Sequence, residues 1–557
     1  MGADITEILP PSVWWGWGDP ARAKPLPEHA IALLRDRLGT DPAVTAPPVA
    51  LDEVELPEPA LDATALDAIA AIVGADRVST ERLDRVEHAG GKNTPDLLSR
   101  RAGDARLAPD AVVRPSTSEA VGELLRHCVT ADIAVVPFGG GTSVVGGVEP
   151  LRGGRAAVIA LDLGGMAQLL SLDPVTRTAR VQAGMRGPAL EAALASRGFT
   201  MGHLPQSHQE ATIGGYAATR SAGQASTGYG RSDELITALR VETPRGPLRL
   251  GDGAPASAAG PDLRQLFIGS EGLLGIITEV TIKIVPAPTA KAYGAWAFPS
   301  FAAGVEALRI LAQEAVPGDV PEVCRLSDEE ETELNLALAG GKDVELLTNY
   351  LGKRGLKRPA LALFVWEGEG REPAARRRRI ARVLRRAGGV SATAGPAKSW
   401  DRGRFSAPYL RDELLGRRIF VETLETAALW SNLEQTHDAV RDAIRAALAG
   451  STGADSAIQS HVSHLYPTGA SLYYTFIAAM EDDPHEQYRR VKAAASEAIV
   501  ASGATITHHH AVGTEHAPYL AAEIGELGLD VLAAVKRELD PTGILNPGKL
   551  LPEPPTA

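Results

Sequence analysis

Apolar positions between residues 105 and 287 recur with the short periods that are typical of β-strands. Residues 133–136 form a continuous apolar run that predicts a buried strand. Ile277, Val280 and Ile282 fall among polar residues, as in a strand with one buried face. Further along the chain, the pattern changes to that of longer helices. Together the two patterns predict an α+β fold.

The change of pattern divides the chain into regions. At 557 residues the chain is too long for a single hydrophobic core, so at least two domains are expected. We predict an N-terminal arm and helical region at 1–104, a strand-rich domain at 105–287, a cap domain of mixed sheet and helices at 288–505, and a C-terminal segment at 506–557.

The composition is that of an ordinary soluble globular protein. Apolar residues make up 44% of the chain and charged residues 22%, and a net charge of -13 argues against a nucleic-acid partner. Cys128 and Cys324 form no CxxC motif, so a reducing compartment without disulfides is expected. We expect neither a secretory signal nor a spanning helix, because no basic region precedes an apolar stretch and no run reaches about 18 apolar residues. A cytoplasmic location is predicted.

Three glycine-rich segments carry the first chemical signal. PFGGGTS at 137–143 follows the buried strand, and its consecutive glycines let the backbone approach a ligand and aim several N–H groups at a pyrophosphate. It is not the GxGxxG motif that opens a helix. The segments 205–230 and 267–283 interleave glycines with small residues, which suits contact with a large planar cofactor. Each segment alone is also explained by a tight turn between strands.

Three tryptophans stand close together near the N-terminus, at Trp14, Trp15 and Trp17. One interpretation is a hydrophobic clasp that docks the arm on the main body, and the alternative is a direct part in a ligand pocket. A basic stretch at 374–389 has a similar ambiguity. It is either a solvated helix face with Ile380, Val383 and Leu384 turned inward or a surface for anionic lipid.

Histidine, tyrosine and arginine side chains supply candidate chemistry in the second half of the chain. His508, His509 and His510 follow a largely apolar segment, and on an extended chain the first and third would share one face. Imidazole suits proton transfer near neutral pH. Arg325 and Arg411 lie beside apolar residues, so each is a candidate clamp for a phosphate or carboxylate or, alternatively, a member of an internal ion pair.

The chain resembles the alkyldihydroxyacetonephosphate synthase family of FAD flavoproteins over nearly its whole length. The matching segments are WGWGD at 15–19, PFGGGTS at 137–143, TIGGYAATRSAG at 212–223, GSEGLLGIITEVTIKI at 269–284, CRLSD at 324–328, YLRD at 409–412, GASLYYTF at 469–476 and HHHAVG at 508–513. Many flavoproteins of the vanillyl-alcohol-oxidase type share the glycine-rich loops, whereas the tryptophan-rich start and the triple histidine are specific to far fewer proteins. The resemblance implies a two-part FAD-binding domain of the PCMH type, a cap domain over the flavin ring, and a C-terminal segment that returns to the active site.

The resemblance also implies roles for individual residues. Tyr473 matches the proton donor or acceptor of the family, Arg411 matches its substrate-binding arginine, and Arg325 with the three histidines matches positions needed for activity. FAD is expected to be non-covalent, because residues 137–147 contain no histidine for attachment. The implied FAD-binding residues are Pro137, Phe138, Gly139, Gly140, Gly141, Thr142, Ser143, Gln206, Ser207, Thr212, Gly214, Gly215, Thr219, Arg220, Ser221, Ala222, Glu271, Gly272, Gly275, Ile276 and Ile277.

Some positions depart from the family pattern. Gln206 replaces an acidic residue, and residues 514–516 replace basic residues after the histidines, which weakens the case for a phosphorylated substrate. The tail NPGK at 546–549 resembles FAD-linked 2-hydroxyacid dehydrogenases. Those enzymes often bind a metal, but in this chain Tyr473 occupies the position where their metal-binding pattern has a second histidine. No metal is therefore expected, although His461, His464 and His508 could be argued into a site.

The resemblance leaves two functions open. The first is a synthase reaction in which a fatty alcohol replaces the acyl group of acyl-dihydroxyacetone phosphate to give an ether. The second is an FAD-linked dehydrogenase or oxidase of a 2-hydroxy acid or related alcohol. The expected partners are a small-molecule or lipid substrate, a second copy of the chain in a homodimer, and a membrane surface in peripheral contact.

Overall fold

The computed structural model describes residues 4–39, 41–42, 44–251, 253–316, 318–452 and 456–551. Within these residues the strands form three main sheets and a two-stranded ribbon. In chain order the strands are β1 (Val78–Ser79), β2 (Ala111–Val113), β3 (Ile133–Phe138), β4 (Ala157–Asp162), β5 (Leu169–Asp173), β6 (Thr178–Gln182), β7 (Phe199–Thr200), β8 (Ile236–Thr243), β9 (Gly246–Leu250), β10 (Ile276–Lys283), β11 (Val285–Pro286), β12 (Ala290–Phe298), β13 (Val323–Ser327), β14 (Ala360–Gly368), β15 (Val390–Ser391), β16 (Ile419–Leu429), β17 (Ala457–Leu465) and β18 (Gly469–Ala479).

The α-helices cover the faces of these sheets and connect their strands. They are α1 (Glu28–Leu38), α2 (Ala63–Val73), α3 (Arg82–Glu87), α4 (Thr94–Arg101), α5 (Ser118–Ala131), α6 (Gly187–Ala195), α7 (Ile213–Ala218), α8 (Ser226–Tyr229), α9 (Ser232–Leu235), α10 (Arg264–Phe267), α11 (Phe301–Glu314), α12 (Glu329–Ala339), α13 (Lys342–Lys353), α14 (Glu372–Arg386), α15 (Gly395–Gly403), α16 (Ala407–Leu415), α17 (Leu433–Thr452), α18 (Pro484–Ala501), α19 (Leu520–Ile524) and α20 (Glu526–Leu539). None of the helices described is long and apolar enough to cross a membrane.

The first sheet has the order β1–β2–β4–β3, with β2, β4 and β3 parallel. Residues 133–136 are all buried in β3, which confirms the buried strand predicted there. The C-terminal segment adds to the open edge of β3, where Val135 donates its N–H to the Ile544 carbonyl and accepts from Asn546. The tail of the chain thus completes the domain that carries the glycine loop.

The second sheet is antiparallel, with the order β5–β6–β10–β8–β9. Val280 and Ile282 of β10 are buried whereas Lys283 is exposed, as the alternation predicted. The two sheets share one hydrophobic core, to which α2, α5 and α6 contribute. Strand β1 pairs with β2, so this structural unit begins before residue 105, where the sequence pattern set its start.

The third sheet is antiparallel and has seven strands, in the order β15–β12–β14–β13–β17–β18–β16. One face packs against α11, α14, α17 and α18 in a second core that includes Tyr474. On the opposite face, Val323 and Val365 pack against Ala225 beside α8. This opposite face is therefore where the cap sheet meets the first two sheets.

Helix α14 holds the basic stretch of the sequence. Ile380 and Leu384 are buried as predicted. Arg376, however, is buried rather than solvated, because it donates to the Val320 carbonyl and pairs with Glu322. The solvated-face interpretation is correct for the exposed Arg378, Arg379, Arg382, Arg385 and Arg386, and Arg379 pairs with Asp319 at the surface.

Candidate active site

Glu425, Tyr473 and His461 lie in one row across the cap sheet. Glu425 of β16 pairs with Tyr473 of β18, which pairs in turn with His461 of β17. Because paired residues project to the same side of a sheet, all three side chains point to the face that meets the first two sheets. The His461 and Tyr473 rings stack with their centroids 5.1 Å apart.

The Glu425 carboxylate organises the histidine triplet. Its Oε1 accepts the backbone N–H groups of His508, His509 and His510 at 2.9 Å each and the Thr507 hydroxyl at 2.7 Å. Three successive amides converge on one oxygen, which an extended chain cannot do because its amides alternate in direction. The expectation that His508 and His510 share one face of an extended segment is therefore wrong.

The electrostatics of this cluster fix its protonation. Burial alone would raise the pKa of Glu425, but the neighbouring histidines, His509 foremost, hold it well below its usual range. Burial lowers the pKa of His510 to about 3 and that of His508 well below its usual value. Near neutral pH the structure thus holds an ionised carboxylate beside neutral imidazoles that can accept protons.

Tyr473 faces these imidazoles as a protonated phenol. Its ring lies edge-on to His510, with centroids 5.5 Å apart, and parallel to His509 at 6.1 Å. Burial raises the pKa of Tyr473 to about 12. The site therefore combines a proton donor with neutral acceptors, which is the arrangement that general acid–base chemistry requires.

Arg325 reaches this row through His461. Its guanidinium donates to Glu331 at 2.5 Å and lies 3.1 Å from His461 Nδ1. Burial would raise the pKa of Glu331, but His461 and Arg325 lower it to about 2. Arg325 thus contacts Tyr473 only through His461, and its predicted need for activity remains a prediction.

Arg411 lies on α16, away from the histidine triplet. Its guanidinium donates to the Lys92 carbonyl at 2.5 Å and to Asp412 Oδ1 at 3.3 Å. Asp412 Oδ2 accepts a hydrogen bond from the backbone N–H of Trp17, which connects the Arg411–Asp412 pair to the N-terminal residues. The internal ion pair foreseen as an alternative is present, and the substrate-binding role of Arg411 remains a prediction.

The first glycine loop borders a cavity of about 420 Å³. Gly141 has a φ of +63°, and a Cβ on Gly140 would lie 2.0 Å from the Glu210 carbonyl oxygen, so the loop needs these two glycines. Lys92 and Arg186 line the same cavity. These cations and the bare loop backbone suit a diphosphate.

Unpartnered polar atoms also point to a ligand here. Gln209 Oε1 and Glu210 Oε1 are buried without a hydrogen-bond partner among the described residues, and both side chains line this cavity. Burial lowers the pKa of Lys92 to about 7. Ligand hydroxyls would satisfy the two oxygens, and a negative charge on the ligand would favour the ammonium form of Lys92.

A second cavity, of about 450 Å³, lies between the histidine triplet and the other glycine segments. Of the residues predicted to bind the cofactor, Thr219, Arg220 and Glu271 line it, together with His508 and His509. The Glu271 carboxylate accepts the N–H groups of Val512 and Gly513 at 2.8 Å each. This side chain therefore holds the C-terminal segment against the cavity.

Tyr466 belongs to this site and was not predicted from the sequence, and His464, which the sequence analysis considered only as a metal ligand, lies beside it. The Tyr466 hydroxyl lies 2.5 Å from His508 Nε2, and His508 Nδ1 lies 2.9 Å from His509 Nδ1. His464, His508 and His509 offer nitrogen atoms within 4.8 Å of one another, close enough to hold a metal ion. Both His464 nitrogens are already hydrogen-bonded, Nε2 to the Gly223 carbonyl at 2.9 Å and Nδ1 to serine hydroxyls. The expectation of no metal remains a prediction.

Comparison with known proteins identifies the class. A family model described as FAD binding domain matches residues 109–250, and one described as FAD linked oxidases, C-terminal domain, matches residues 287–550. A solved p-cresol methylhydroxylase covers 88% of this chain and 96% of its own with a TM-score of 0.66 at 18% identity, which shows a shared fold. The molecule is an FAD-binding flavoprotein, as its glycine loop and cavity indicate.

Relatives narrow the class to one family. Alkyldihydroxyacetonephosphate synthase of Trypanosoma brucei brucei is 33% identical and covers 87% of this chain and 80% of its own length. The synthase of Dictyostelium discoideum is 32% identical, with coverages of 86% and 79%. A solved structure of alkyldihydroxyacetonephosphate synthase superposes with a TM-score of 0.82 at 27% identity and covers 96% of this chain and 98% of its own. The chain belongs to the alkyldihydroxyacetonephosphate synthase family.

The chain is also similar to a protein that is named as an oxidoreductase. The Escherichia coli K12 protein named Uncharacterized FAD-linked oxidoreductase YgcU is 29% identical and covers 86% of this chain and 96% of its own length. FAD is the cofactor of the family, and the glycine loop, the cationic side chains and the unpartnered oxygens of Gln209 and Glu210 fit its diphosphate and hydroxyls. Non-covalent attachment stays a prediction.

Proposed function

We propose that the protein catalyses the reaction of its family, in which a fatty alcohol replaces the acyl group of acyl-dihydroxyacetone phosphate to form an ether. The observation that carries the proposal is the placement of the protonated Tyr473 phenol beside a histidine triplet that Glu425 holds in position. The named synthases among the relatives supply the substrate class.

The residues of the chain divide the proton transfers between them. An imidazole of the triplet, that of His509 or His510, accepts the proton that leaves the carbon next to the substrate ketone, and the Tyr473 hydroxyl holds a proton for return. Glu425 stabilises the imidazolium that forms, because its carboxylate stays ionised. When bound, FAD supplies an electrophilic ring and is not consumed in net oxidation. Arg411 would bind the substrate phosphate by sharing its guanidinium with Asp412.

The similarity to an FAD-linked oxidoreductase leaves a competing function, and the tail NPGK favours oxidation of a 2-hydroxy acid as that function. The flavin absorbance of the purified holoenzyme, recorded anaerobically, separates the two. We expect the oxidised spectrum to persist when lactate, glycolate or 2-hydroxyglutarate is added. Stoichiometric bleaching by one of these acids would favour the oxidoreductase.

The assembly and location of the protein are further proposals. A lipid substrate favours peripheral membrane contact, and α13 presents exposed Leu346 and Tyr350 close to Lys353 and Arg354, a combination that suits an anionic lipid surface. We also propose a homodimer in the cytoplasm. Sedimentation of the protein with and without anionic vesicles measures its mass and its lipid binding together. A monomer that does not bind the vesicles would contradict both the homodimer and the membrane contact.

A further inference from the structure

The N-terminal arm, residues 4–22, runs across the cavity of the first glycine loop. Leu9, Ser12 and Trp14 line that cavity opposite Gly139–Gly141. Residues 8–14 have the sequence ILPPSVW, which carries no charge. The arm therefore offers an apolar wall with one hydroxyl, while the cations of the cavity come from Lys92, Arg114 and Arg186 on the main body.

Backbone contacts fix the arm at several points. The Ile5 carbonyl lies 2.8 Å from His208 Nε2, and the Gly16 carbonyl accepts the Lys92 ammonium at 2.5 Å. The Trp17 N–H donates to Asp412 Oδ2. Two of these anchors belong to the glycine-loop side of the molecule and one to the cap, so the arm spans both.

The turn after the tryptophans fits closely against α16. Gly18 has a φ of +55°, and a Cβ there would lie 2.2 Å from the Tyr409 hydroxyl. A Cβ on Gly16 would lie 2.6 Å from Asp412 Oδ2. Trp17 is only 4% exposed. These contacts confirm the clasp interpretation for Trp17, whereas Trp14 lines the cavity, as the alternative interpretation has it.

We propose that the arm is the closing wall of the FAD site, so that bound FAD holds the arm in place and the docked arm retains FAD. FAD binding and docking of the arm are linked because both occur at the same cavity. Each ligand contact made by Leu9, Ser12 or Trp14 stabilises the docked arm, and lifting the arm opens the cavity to water. By reciprocity, FAD protects the arm as much as the arm retains FAD.

Two measurements on the full chain test this. The first is the rate at which trypsin cuts after the exposed Arg22 in FAD-loaded and FAD-stripped protein, with loss of the N-terminal peptide detected by mass. We expect FAD to slow this cut about tenfold, since a linkage of that size corresponds to ordinary coupling energies. Equal cutting of the two forms overturns the proposal.

The second measurement is the rate of FAD release, followed by flavin fluorescence after dilution, in three variants. Trp14→Ala removes the indole from the cavity wall, and Gly18→Ala brings its Cβ against Tyr409 and so disturbs docking. Gly388→Ala is the matched control, because Gly388 also has a positive φ of +83° but no atom within 4 Å of the added Cβ. We expect release to be about tenfold faster in the first two variants and unchanged in the third.

Trp14→Ala decides the matter if Gly18→Ala does not fold, because its substitution leaves the backbone of the arm unaltered. Release from Trp14→Ala at the rate of the unsubstituted protein overturns the proposal. These readouts depend only on FAD binding, so they stand whether or not the synthase reaction is confirmed.

Discussion

Glu425 and Tyr473 are direct neighbours on β16 and β18, and the carboxylate of the first holds the backbone of the histidine triplet, of which His509 and His510 contact the ring of the second. A strand position thereby fixes a loop more than 80 residues further along the chain, at His508. The proposed donor Tyr473 thus lies on the sheet, and the histidines lie on a loop that Glu425 of the same sheet holds in place.

Tyr473→Phe removes the proposed donor without changing the shape of the ring. We expect turnover to fall by about 10²–10⁴-fold, the usual contribution of general acid–base catalysis, while FAD stays bound. Tyr474→Phe is the matched control, because the Tyr474 hydroxyl faces the cap core and donates to the Thr436 carbonyl. Steady-state kinetics and the flavin spectrum of both variants check this. Full turnover in Tyr473→Phe would show that another group holds the proton.

Glu425→Gln keeps one acceptor oxygen, which can hold the donors that converge on Oε1, but it loses the Oε2 acceptor of the His508 N–H and the negative charge beside the histidines. We expect the free energy of unfolding to drop by about 1–3 kcal/mol, the cost of losing a hydrogen bond to a buried charged group, and turnover to fall because no charge stabilises the imidazolium. Glu425→Asp keeps the charge and tests whether reach or charge matters. Denaturant titration and kinetics provide the two readouts. A variant with normal stability and normal turnover would refute the organising role of Glu425.

Stability should fall in mild acid. Burial lowers the pKa of His464 and His510 to about 3, whereas each imidazole of the unfolded chain takes up a proton near pH 6.5. The unfolded state therefore binds more protons between these pH values, so the stabilisation is fully present above pH 6.5 and is lost as the pH falls toward 3. The slope is up to about 1.4 kcal/mol per pH unit for each histidine.

Melting temperatures from pH 7.5 to 4.5 measure this slope. His464→Gln should reduce it, whereas His29→Gln, a change at an exposed position, should not. A stability that is flat over this range would mean that the buried histidines are protonated in the folded protein.

Gly140→Val should abolish FAD binding. The added side chain would begin 2.0 Å from the Glu210 carbonyl, so the loop must move out of the cavity. Gly352→Val on α13 is the control, because nothing lies within 4 Å of a Cβ there. The flavin-to-protein ratio after desalting provides the measurement, and circular dichroism shows whether the chain is folded. A normal flavin content in folded Gly140→Val would mean that this loop does not bind the cofactor.

The sequence predicted the parts of this site that carry local signals. Consecutive glycines after a strand, three adjacent histidines and a tyrosine in a strand are visible in short segments. Glu425 is not, because an acidic residue in the strand sequence FVETLETAAL has no local feature that separates it from Glu422. Its role depends on strand register and on a loop that is distant in sequence. The path of the arm over the glycine loop could not be predicted for the same reason, since its anchors at Lys92 and Asp412 are far from Trp17 along the chain.

The most direct test of the account is the product balance of the purified holoenzyme supplied with acyl-dihydroxyacetone phosphate and a radiolabelled fatty alcohol. The account predicts one labelled ether for each fatty acid released, with the flavin spectrum oxidised at the end and the ether lost in Tyr473→Phe. Fatty acid release without labelled ether, or ether formation that is undiminished in Tyr473→Phe, would contradict it.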